Sequence, residues 1–125
     1  MLVTCDVFME NVKSGGVFVA ARVDKGGQLV RSATGVFFWV FANGSYKVTN
    51  DLAGQLVLAE GLSGTRPFDW HNLSLYVKGQ SAYGMLDGRQ LWNVTGVSSP
   101  KNGWAAIGTY SFELAQFDNF NVLAE

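Results

Sequence analysis

The end of the chain reads Pro100-Lys-Asn-Gly-Trp-Ala-Ala-Ile-Gly-Thr-Tyr110 and continues as Ser111-Phe-Glu-Leu-Ala-Gln-Phe-Asp-Asn-Phe-Asn-Val122. Both runs are mostly apolar, and they predict two strands that meet at Tyr110-Ser111. Alternate residues of an extended chain share one face of a sheet. In the second run, that face would carry Phe112, Leu114, Gln116, Asp118, Phe120 and Val122.

Asp118 is the polar group that this alternation directs towards an apolar layer. A carboxylate in that position is costly unless it is paired, hydrogen-bonded or bound to a cation, so a regular strand predicts a cation beside Asp118. A β-bulge near Gln116 would instead turn Asp118 to solvent. Phe117 interrupts the alternation, which favours a bulge somewhere in this run. The residue pattern leaves both interpretations open.

The length and composition predict a single folded domain. A chain of 125 residues can bury a core, and 48% hydrophobic against 15% charged residues excludes intrinsic disorder. Nine basic and ten acidic residues form no basic stripe, which excludes a nucleic-acid partner. No apolar run is long enough to span a bilayer. The N-terminus lacks a signal-peptide pattern, so a secretory address would lie upstream of Met1.

Short strand-like runs separated by turn signals cover the rest of the chain. Residues 17–23 are almost continuously apolar and predict a central strand. Asn43-Gly44 predicts a type I′ hairpin, and Asp87-Gly88 predicts a second hairpin turn. No segment has a helical apolar period, so the sequence predicts an antiparallel sandwich or barrel. Further strands are predicted over residues 2–9, 28–31, 35–41, 46–49, 55–59, 70–77, 82–86 and 90–92.

No group of residues predicts catalysis by this chain. The aspartates at 24, 51, 69 and 87 lie in turn contexts, where they are typical turn formers. Cys5, the single cysteine, lies in an alternating apolar run and is expected in the core. His71 is the single histidine and is expected to face solvent. Most of the four tryptophans are expected to fill the core, with Trp92 the best candidate for a surface that stacks on a sugar ring.

Three N-glycosylation sequons favour a protein of the secretory pathway: Asn43-Gly-Ser45, Asn72-Leu-Ser74 and Asn93-Val-Thr95. Each motif is short and arises readily by chance. Asn43 is the best placed of the three, because it lies in a predicted hairpin turn that would be exposed.

Four stretches together resemble a known family: Gly16-Val-Phe-Val-Ala-Ala-Arg-Val-Asp-Lys-Gly-Gly27, Gly35-Val-Phe-Phe-Trp-Val-Phe-Ala-Asn-Gly-Ser-Tyr46, Asp51-Leu-Ala-Gly54, and the residues from Pro100 to Phe120. They are similar to the C-terminal lectin-type domain of the galactocerebrosidases (galactosylceramidases). The resemblance covers almost the whole chain and weakens over residues 60–69 and 80–99. Asn43 lies in a stretch similar to the family, whereas Asn72 and Asn93 depart from it.

The resemblance implies a lysosomal glycoside hydrolase that removes galactose from galactosylceramide, a sphingolipid that a small saposin presents. In that family, a TIM barrel supplies two catalytic glutamates, and a concanavalin-like jelly-roll domain follows it. Residues 1–125 would then be the C-terminal portion of that lectin-like sandwich. They would be non-catalytic, and the sandwich would be incomplete at its N-terminal side. The alternative is a free-standing module that binds carbohydrate or another protein.

The resemblance also bears on Asp118. Phe117-Asp-Asn-Phe120 matches the closing strand of the family's lectin domain, whose aspartate is a calcium ligand. It therefore implies that Asp118 binds a structural calcium ion. Calcium takes six to eight oxygen ligands, so the others are expected from strands upstream of this chain.

Overall fold

A computed structural model describes residues 1–10, 15–24, 33–97, 103–109 and 115–124. Ten strands account for most of these residues. In chain order they are β1 (Leu2–Met9), β2 (Gly16–Val23), β3 (Thr34–Phe41), β4 (Ser45–Asp51), β5 (Val57–Leu62), β6 (Trp70–Lys78), β7 (Ser81–Leu86), β8 (Arg89–Val94), β9 (Trp104–Thr109) and β10 (Ala115–Leu123). The run predicted at residues 28–31 lies outside the described residues.

The strands form two antiparallel sheets of five. Sheet A has the order β10-β1-β6-β7-β8, and sheet B has the order β5-β4-β3-β2-β9. Within the described ranges no residue is helical. The prediction of an all-β antiparallel sandwich is therefore confirmed. Whether further strands precede these in a larger sandwich stays a prediction.

The core lies between the two sheets and follows from strict alternation. In β1, every second side chain from Val3 to Met9 is buried, and the intervening ones face outward. Cys5 is fully buried in this row, which confirms the prediction that it is a core residue. β2 and β3 contribute the facing rows, in which Val19 and Phe38 are completely buried. Burial of such side chains drives the two sheets together.

Sheet B also buries apolar side chains on its other face. Phe18, Phe37 and Trp39 form a second cluster there, with ring centroids 4.8 to 6.5 Å apart. The Trp39 indole N–H donates a hydrogen bond of 3.0 Å to the Thr49 hydroxyl, so its polar atom is satisfied within the cluster. This second buried face explains why β2 and β3 read as continuously apolar runs.

The two predicted hairpins form, but the β3–β4 hairpin does not have the predicted type of turn. Asp87 and Gly88 both have positive φ, at 52° and 82°, as a type I′ turn requires. In the β3–β4 hairpin, Gly44 alone is left-handed, at 88°, and its N–H donates to the Phe41 carbonyl. That connection is a three-residue loop ending in a left-handed glycine, so the type I′ prediction at Asn43-Gly44 is wrong.

The expectation that Trp92 forms an exposed stacking surface is also wrong. Trp92 is only 5% exposed, and its ring meets Phe38 edge-on at a centroid distance of 5.4 Å. Gly84, its partner on β7, leaves room for the indole. The exposed tryptophans are Trp70 and Trp104, at 49% and 60%.

A methyl group at position 84 should therefore destabilise the sandwich. In Gly84→Ala, the new Cβ would overlap the Trp92 indole nitrogen, so the ring has to move away from Phe38. Such overpacking costs about 1–3 kcal/mol. Thermal unfolding of Gly84→Ala, Trp92→Leu and the double variant measures it. We expect Gly84→Ala to cost much less in the Trp92→Leu background. Equal costs in both backgrounds would contradict the proposed clash.

Candidate functional site

A β-bulge in β10 decides what this end of sheet A presents to solvent. Thr4 pairs with Asn121 and Asp6 pairs with Asp118, so β10 uses one residue more than β1 between these pairs. Asn119 lies within the extra segment and has φ of 54°, a left-handed conformation that asparagine adopts more readily than most residues. The predicted bulge therefore exists, but it lies at Asn119 rather than near Gln116.

The bulge places the first half of β10 on the opposite parity from the second half. Ala115 and Phe117 pack against the core, whereas Asp118 is exposed. Phe120 and Val122 are also exposed, at 45% and 39%. The regular-strand interpretation, in which Asp118 lies with Phe120 and Val122 on a buried face, is wrong. The inserted residue places Asp118 opposite the outward-facing Asp6, whereas Val122 lies opposite the buried Val3. Phe112 and Leu114, expected on the same face, lie outside the described residues.

Asp6 lies at the centre of a polar network on the outer face of sheet A. Its Oδ1 accepts a hydrogen bond of 2.9 Å from the Asn72 side-chain amide, and its Oδ2 accepts one of 2.7 Å from the Asn119 amide. Asp118 follows on the neighbouring strand, where its Oδ1 accepts the Asn119 backbone N–H at 2.8 Å. The hydrogen bonds from Asn119 and Asn72 lower the pKa of Asp6 below its ordinary value.

This network does not by itself fit a calcium ion. Calcium needs six to eight oxygens. Both oxygens of Asp6, the carboxylate nearest to Asp118 along the pairing, already accept amide hydrogens. Among the described residues, no group of three or more His, Cys, Asp or Glu side chains could hold a metal. The exposed position of Asp118 leaves its carboxylate accessible to other parts of a larger protein.

An exposed aromatic cluster adjoins the polar network. Phe8 pairs with Trp70 across β1 and β6. This pair lies two residues along the strands from the pair of Asp6 and Asn72, on the same face of the sheet. The ring centroids of Phe8 and Trp70 are 5.3 Å apart, and Phe68 meets Phe8 at 6.3 Å. Phe68 is 54% exposed, and its φ of 63° is unusual for a bulky residue. Aromatic rings beside carboxylate and amide groups form a surface suited to binding rather than to bond cleavage.

His71 does not face solvent as predicted. Its side chain is only 12% exposed, and Nδ1 lies 2.9 Å from Oδ2 of Asp87. Nε2 accepts the Arg66 backbone N–H at 3.3 Å, so Nδ1 is the protonated nitrogen in this arrangement. Asp87 also accepts the Asn72 backbone N–H at 2.7 Å. The two side chains therefore tie the β7–β8 turn to β6 and to the segment before it. His71 shares strand parity with Leu73, a sequence signal that predicts this inward direction.

Cys5 has no nucleophilic environment. Burial raises the pKa of its thiol, which keeps the sulfur protonated. Its Sγ lies 3.4 Å from the Asp118 carbonyl and fills the core side of the bulge. The turn aspartates likewise act on the backbone: Asp51 accepts the N–H groups of Gln55 and Leu56.

The three sequon asparagines occupy different environments. Asn43 is exposed at the β3–β4 turn, and its Oδ1 accepts hydrogen bonds from the Ser45 N–H and hydroxyl at 3.0 and 2.6 Å. Asn93 is exposed on β8. Asn72 is half-buried on the outer face of sheet A, where it bonds Asp6. All three side chains lie outside the core.

Solved β-sandwich structures share the fold of this chain. The carbohydrate-binding module CBM66 from Bacillus subtilis superposes with a TM-score of 0.74, at 18% identity over 95% of this chain and 71% of that chain. A galectin from Caenorhabditis elegans gives a TM-score of 0.61, at 10% identity over 97% of this chain and 81% of that chain. At these identities the likeness concerns the fold alone.

Sequence similarity identifies the family. Residues 1–125 match the family described as the galactocerebrosidase C-terminal lectin domain. The chain is 73% identical to a Salmo salar galactocerebrosidase over all of its residues, and 55% identical to the Homo sapiens protein over 99% of them. It spans 19% and 18% of the lengths of those relatives. The chain therefore belongs to the galactocerebrosidase C-terminal lectin-domain family.

The structure predicts how the bulge residue affects Asp6. Asn119→Gly keeps the left-handed backbone accessible but removes the side-chain donor. We therefore expect the pKa of Asp6 to rise towards its ordinary value of 3.8. A carboxyl with a lowered folded pKa stabilises the fold above its unfolded pKa, and that contribution disappears as pH falls through the folded value. The variant should thus lose more stability at neutral pH than at acid pH.

Carboxyl-carbon NMR titration measures this pKa directly. Asn121→Gly, on the same strand but opposite Thr4, is the matched control and should leave the Asp6 titration unchanged. An unchanged pKa in Asn119→Gly would show that the Asn119 amide does not act on Asp6.

Proposed function

We propose that this chain is a non-catalytic sandwich of an enzyme that removes galactose from galactosylceramide and related sphingolipids. The observation that carries the proposal is the family match over residues 1–125, combined with the small share of the relatives that the chain spans. Galactose release then depends on residues outside this chain.

The same proposal includes the lysosome as the site of action and a saposin-type protein as the partner that presents the lipid. The three sequons, two of them on exposed asparagines, support passage through the secretory pathway. In the part of the chain that the structure describes, no helix has the length and apolarity to cross a membrane.

A second candidate is a free-standing module that binds carbohydrate. The aromatic cluster of Phe8, Phe68 and Trp70 beside the Asp6 network is the observation that favours it, because sugar rings pack on exposed aromatic faces. The transcript sequence upstream of Met1 distinguishes the two candidates. An encoded barrel with two glutamates supports the hydrolase, and a stop codon in that frame supports the free module.

Turnover provides a direct biochemical test. We expect no hydrolysis of a fluorogenic galactoside by this chain alone, because residues 1–125 match the lectin domain of the family and retaining hydrolysis needs an acid and a nucleophile placed on either side of the bond. The longer protein encoded with an upstream barrel should hydrolyse the same substrate, and replacing either barrel glutamate with glutamine should abolish turnover. Measurable galactoside cleavage by the isolated chain would contradict the non-catalytic assignment.

We also propose that Asp118 binds calcium together with oxygens from the rest of the longer protein. Support comes from its exposed carboxylate on β10 and from the resemblance of Phe117-Asp-Asn-Phe120 to the family's closing strand. Burial no longer supports the proposal, because the bulge leaves Asp118 in contact with solvent. The ion would join β10 to a segment outside this chain and act structurally.

Thermal unfolding with calcium and with chelator tests this proposal. In the complete lectin domain, calcium should raise the unfolding midpoint, because a ligand that binds only the folded state stabilises it. Asp118→Asn should remove most of that rise, and Asp6→Asn, which alters the neighbouring carboxylate, serves as the comparison. The present chain should show little or no response. Equal midpoints with calcium and chelator in the complete domain would rule out the assignment.

A further inference from the structure

Two of the three sequons carry an aromatic residue two positions before the asparagine. They read Trp70-His-Asn72-Leu-Ser74 and Phe41-Ala-Asn43-Gly-Ser45, whereas the third reads Leu91-Trp-Asn93-Val-Thr95. Residues two apart on a strand share a face and lie about 6–7 Å apart. A sugar ring attached to the asparagine is therefore within reach of the aromatic side chain.

The geometry is most favourable at Asn72. Trp70 and Asn72 both project from the outer face of sheet A, and Trp70 is 49% exposed. Phe8 supports the indole on one side at a centroid distance of 5.3 Å, so the ring is held in place without being covered. An exposed tryptophan on the strand face is costly in water, and an attached sugar would cover part of it.

The bond between Asn72 and Asp6 is compatible with a glycan. Asn72 donates from its side-chain nitrogen to Asp6 at 2.9 Å. N-glycosylation replaces one of the two amide hydrogens, so the other can still donate to the carboxylate. That hydrogen bond would fix the side-chain amide and hence the direction in which the first sugar leaves the sheet.

Asn43 also follows an aromatic residue by two positions, but it lies in the turn after β3. The turn between Phe41 and Ser45 brings the two strand ends together, with Asn43 exposed between them. A cleft of about 380 Å³ lies beside it and is lined by Phe41, Ser45, Tyr46, Lys47, Glu60, Gly61 and Leu62. Phe41 is half-exposed and packs against Trp39 with nearly parallel rings. A single sugar ring fits a cleft of this size.

Asn93 lacks the aromatic partner. Leu91 lies two residues before it, and Leu91 packs partly against the core between the sheets. A glycan at Asn93 would therefore meet no aromatic face from its own strand. The third sequon is a built-in comparison for the other two.

We propose that Asn72 and Asn43 are N-glycosylated and that the first N-acetylglucosamine of each glycan packs against Trp70 and Phe41, respectively. The inference rests on the secretory route contained in the proposed function. The oligosaccharide comes from a lipid-linked diphosphate donor. The bond between its anomeric carbon and the diphosphate oxygen breaks, a bond from that carbon to the asparagine nitrogen forms, one amide proton leaves, and the lipid diphosphate departs.

Site occupancy is the first measurement. The chain is secreted from eukaryotic cells behind a cleavable signal peptide, and glycopeptide mass spectrometry reads the three asparagines. Because the signal peptide is added, glycan occupancy is measured independently of the compartment to which the protein is naturally sent. Fractionation of the longer protein without it tests the lysosomal route separately. Asn72 and Asn43 should be occupied, and an unmodified Asn72 in secreted protein would overturn the proposal.

Coupling between sugar and ring is the second measurement. An endoglycosidase trims each glycan to one N-acetylglucosamine, and unfolding is followed for Trp70→Leu, Ser74→Ala and the double variant. Ser74→Ala removes the sequon and keeps Asn72. We expect its loss of sugar to lower the folded-to-unfolded ratio roughly threefold to tenfold with Trp70 present, the range of a pairwise aromatic contact, and to change it little in the Trp70→Leu background.

The Asn93 sequon provides the matched control. Leu91→Ala and Thr95→Ala should show no such coupling. In proton NMR, the sugar protons at Asn72 should shift upfield through the indole ring current, and those at Asn93, where it is occupied, should not. Coupling at Asn72 no larger than at Asn93, or sugar protons without an upfield shift, would overturn the packing on Trp70 even if the glycan is present.

Discussion

Burial of both faces of β2 and β3 is the constraint on which the sandwich depends. One row, with Val19 and Phe38, closes the core against sheet A. The other row, with Phe18 and Trp39, is buried on the far side of sheet B. Burial of both rows of large apolar side chains stabilises the fold, whereas exposure of either row to water would be costly. Sheet B therefore cannot be an outer layer with a polar face. Sheet A differs, because its outer face carries Asp6, Asn72 and exposed rings.

That difference makes sheet A and the turn before β4 the surfaces that the proposed binding would use. The polar network around Asp6 is already satisfied by amide donors, which makes it a rigid surface and not a reactive one. The neighbouring Trp70 and Phe68 add apolar area that the sandwich itself does not need. In the proposed function, these surfaces would hold partners or sugars. The fold likeness to carbohydrate-binding modules and galectins concerns the scaffold that presents such surfaces.

The sequence predicted most strands and the fold class, because two-residue alternation is a local signal. It placed the core row of β1 correctly, and it placed the Asp87-Gly88 turn. It did not place the bulge at Asn119, since Phe117-Asp-Asn-Phe120 can form either a regular or a bulged strand. The choice depends on pairing with Asp6, more than a hundred residues away in the chain. The prediction that Trp92 is exposed was wrong for a similar reason, because the space that buries its ring is provided by Gly84 on the neighbouring strand. The family came from extended similarity, whereas no local pattern could show whether Asp118 binds calcium.

The position of β1 between β6 and β10 has a consequence for the order of folding. Hairpins such as β3–β4 and β7–β8 join neighbours in the sequence and can close early. β1 does not pair with the strand that follows it in the sequence. Val3 pairs with Leu75 of β6 and with Val122 of β10. Closing these long loops is slow, because the chain loses conformational entropy before the stabilising contacts form. During synthesis, β1 therefore stays unpaired until β6 has emerged, and its other edge stays unpaired until β10 has emerged. This interval is when the chain is most exposed to association with other nascent strands and most in need of chaperones.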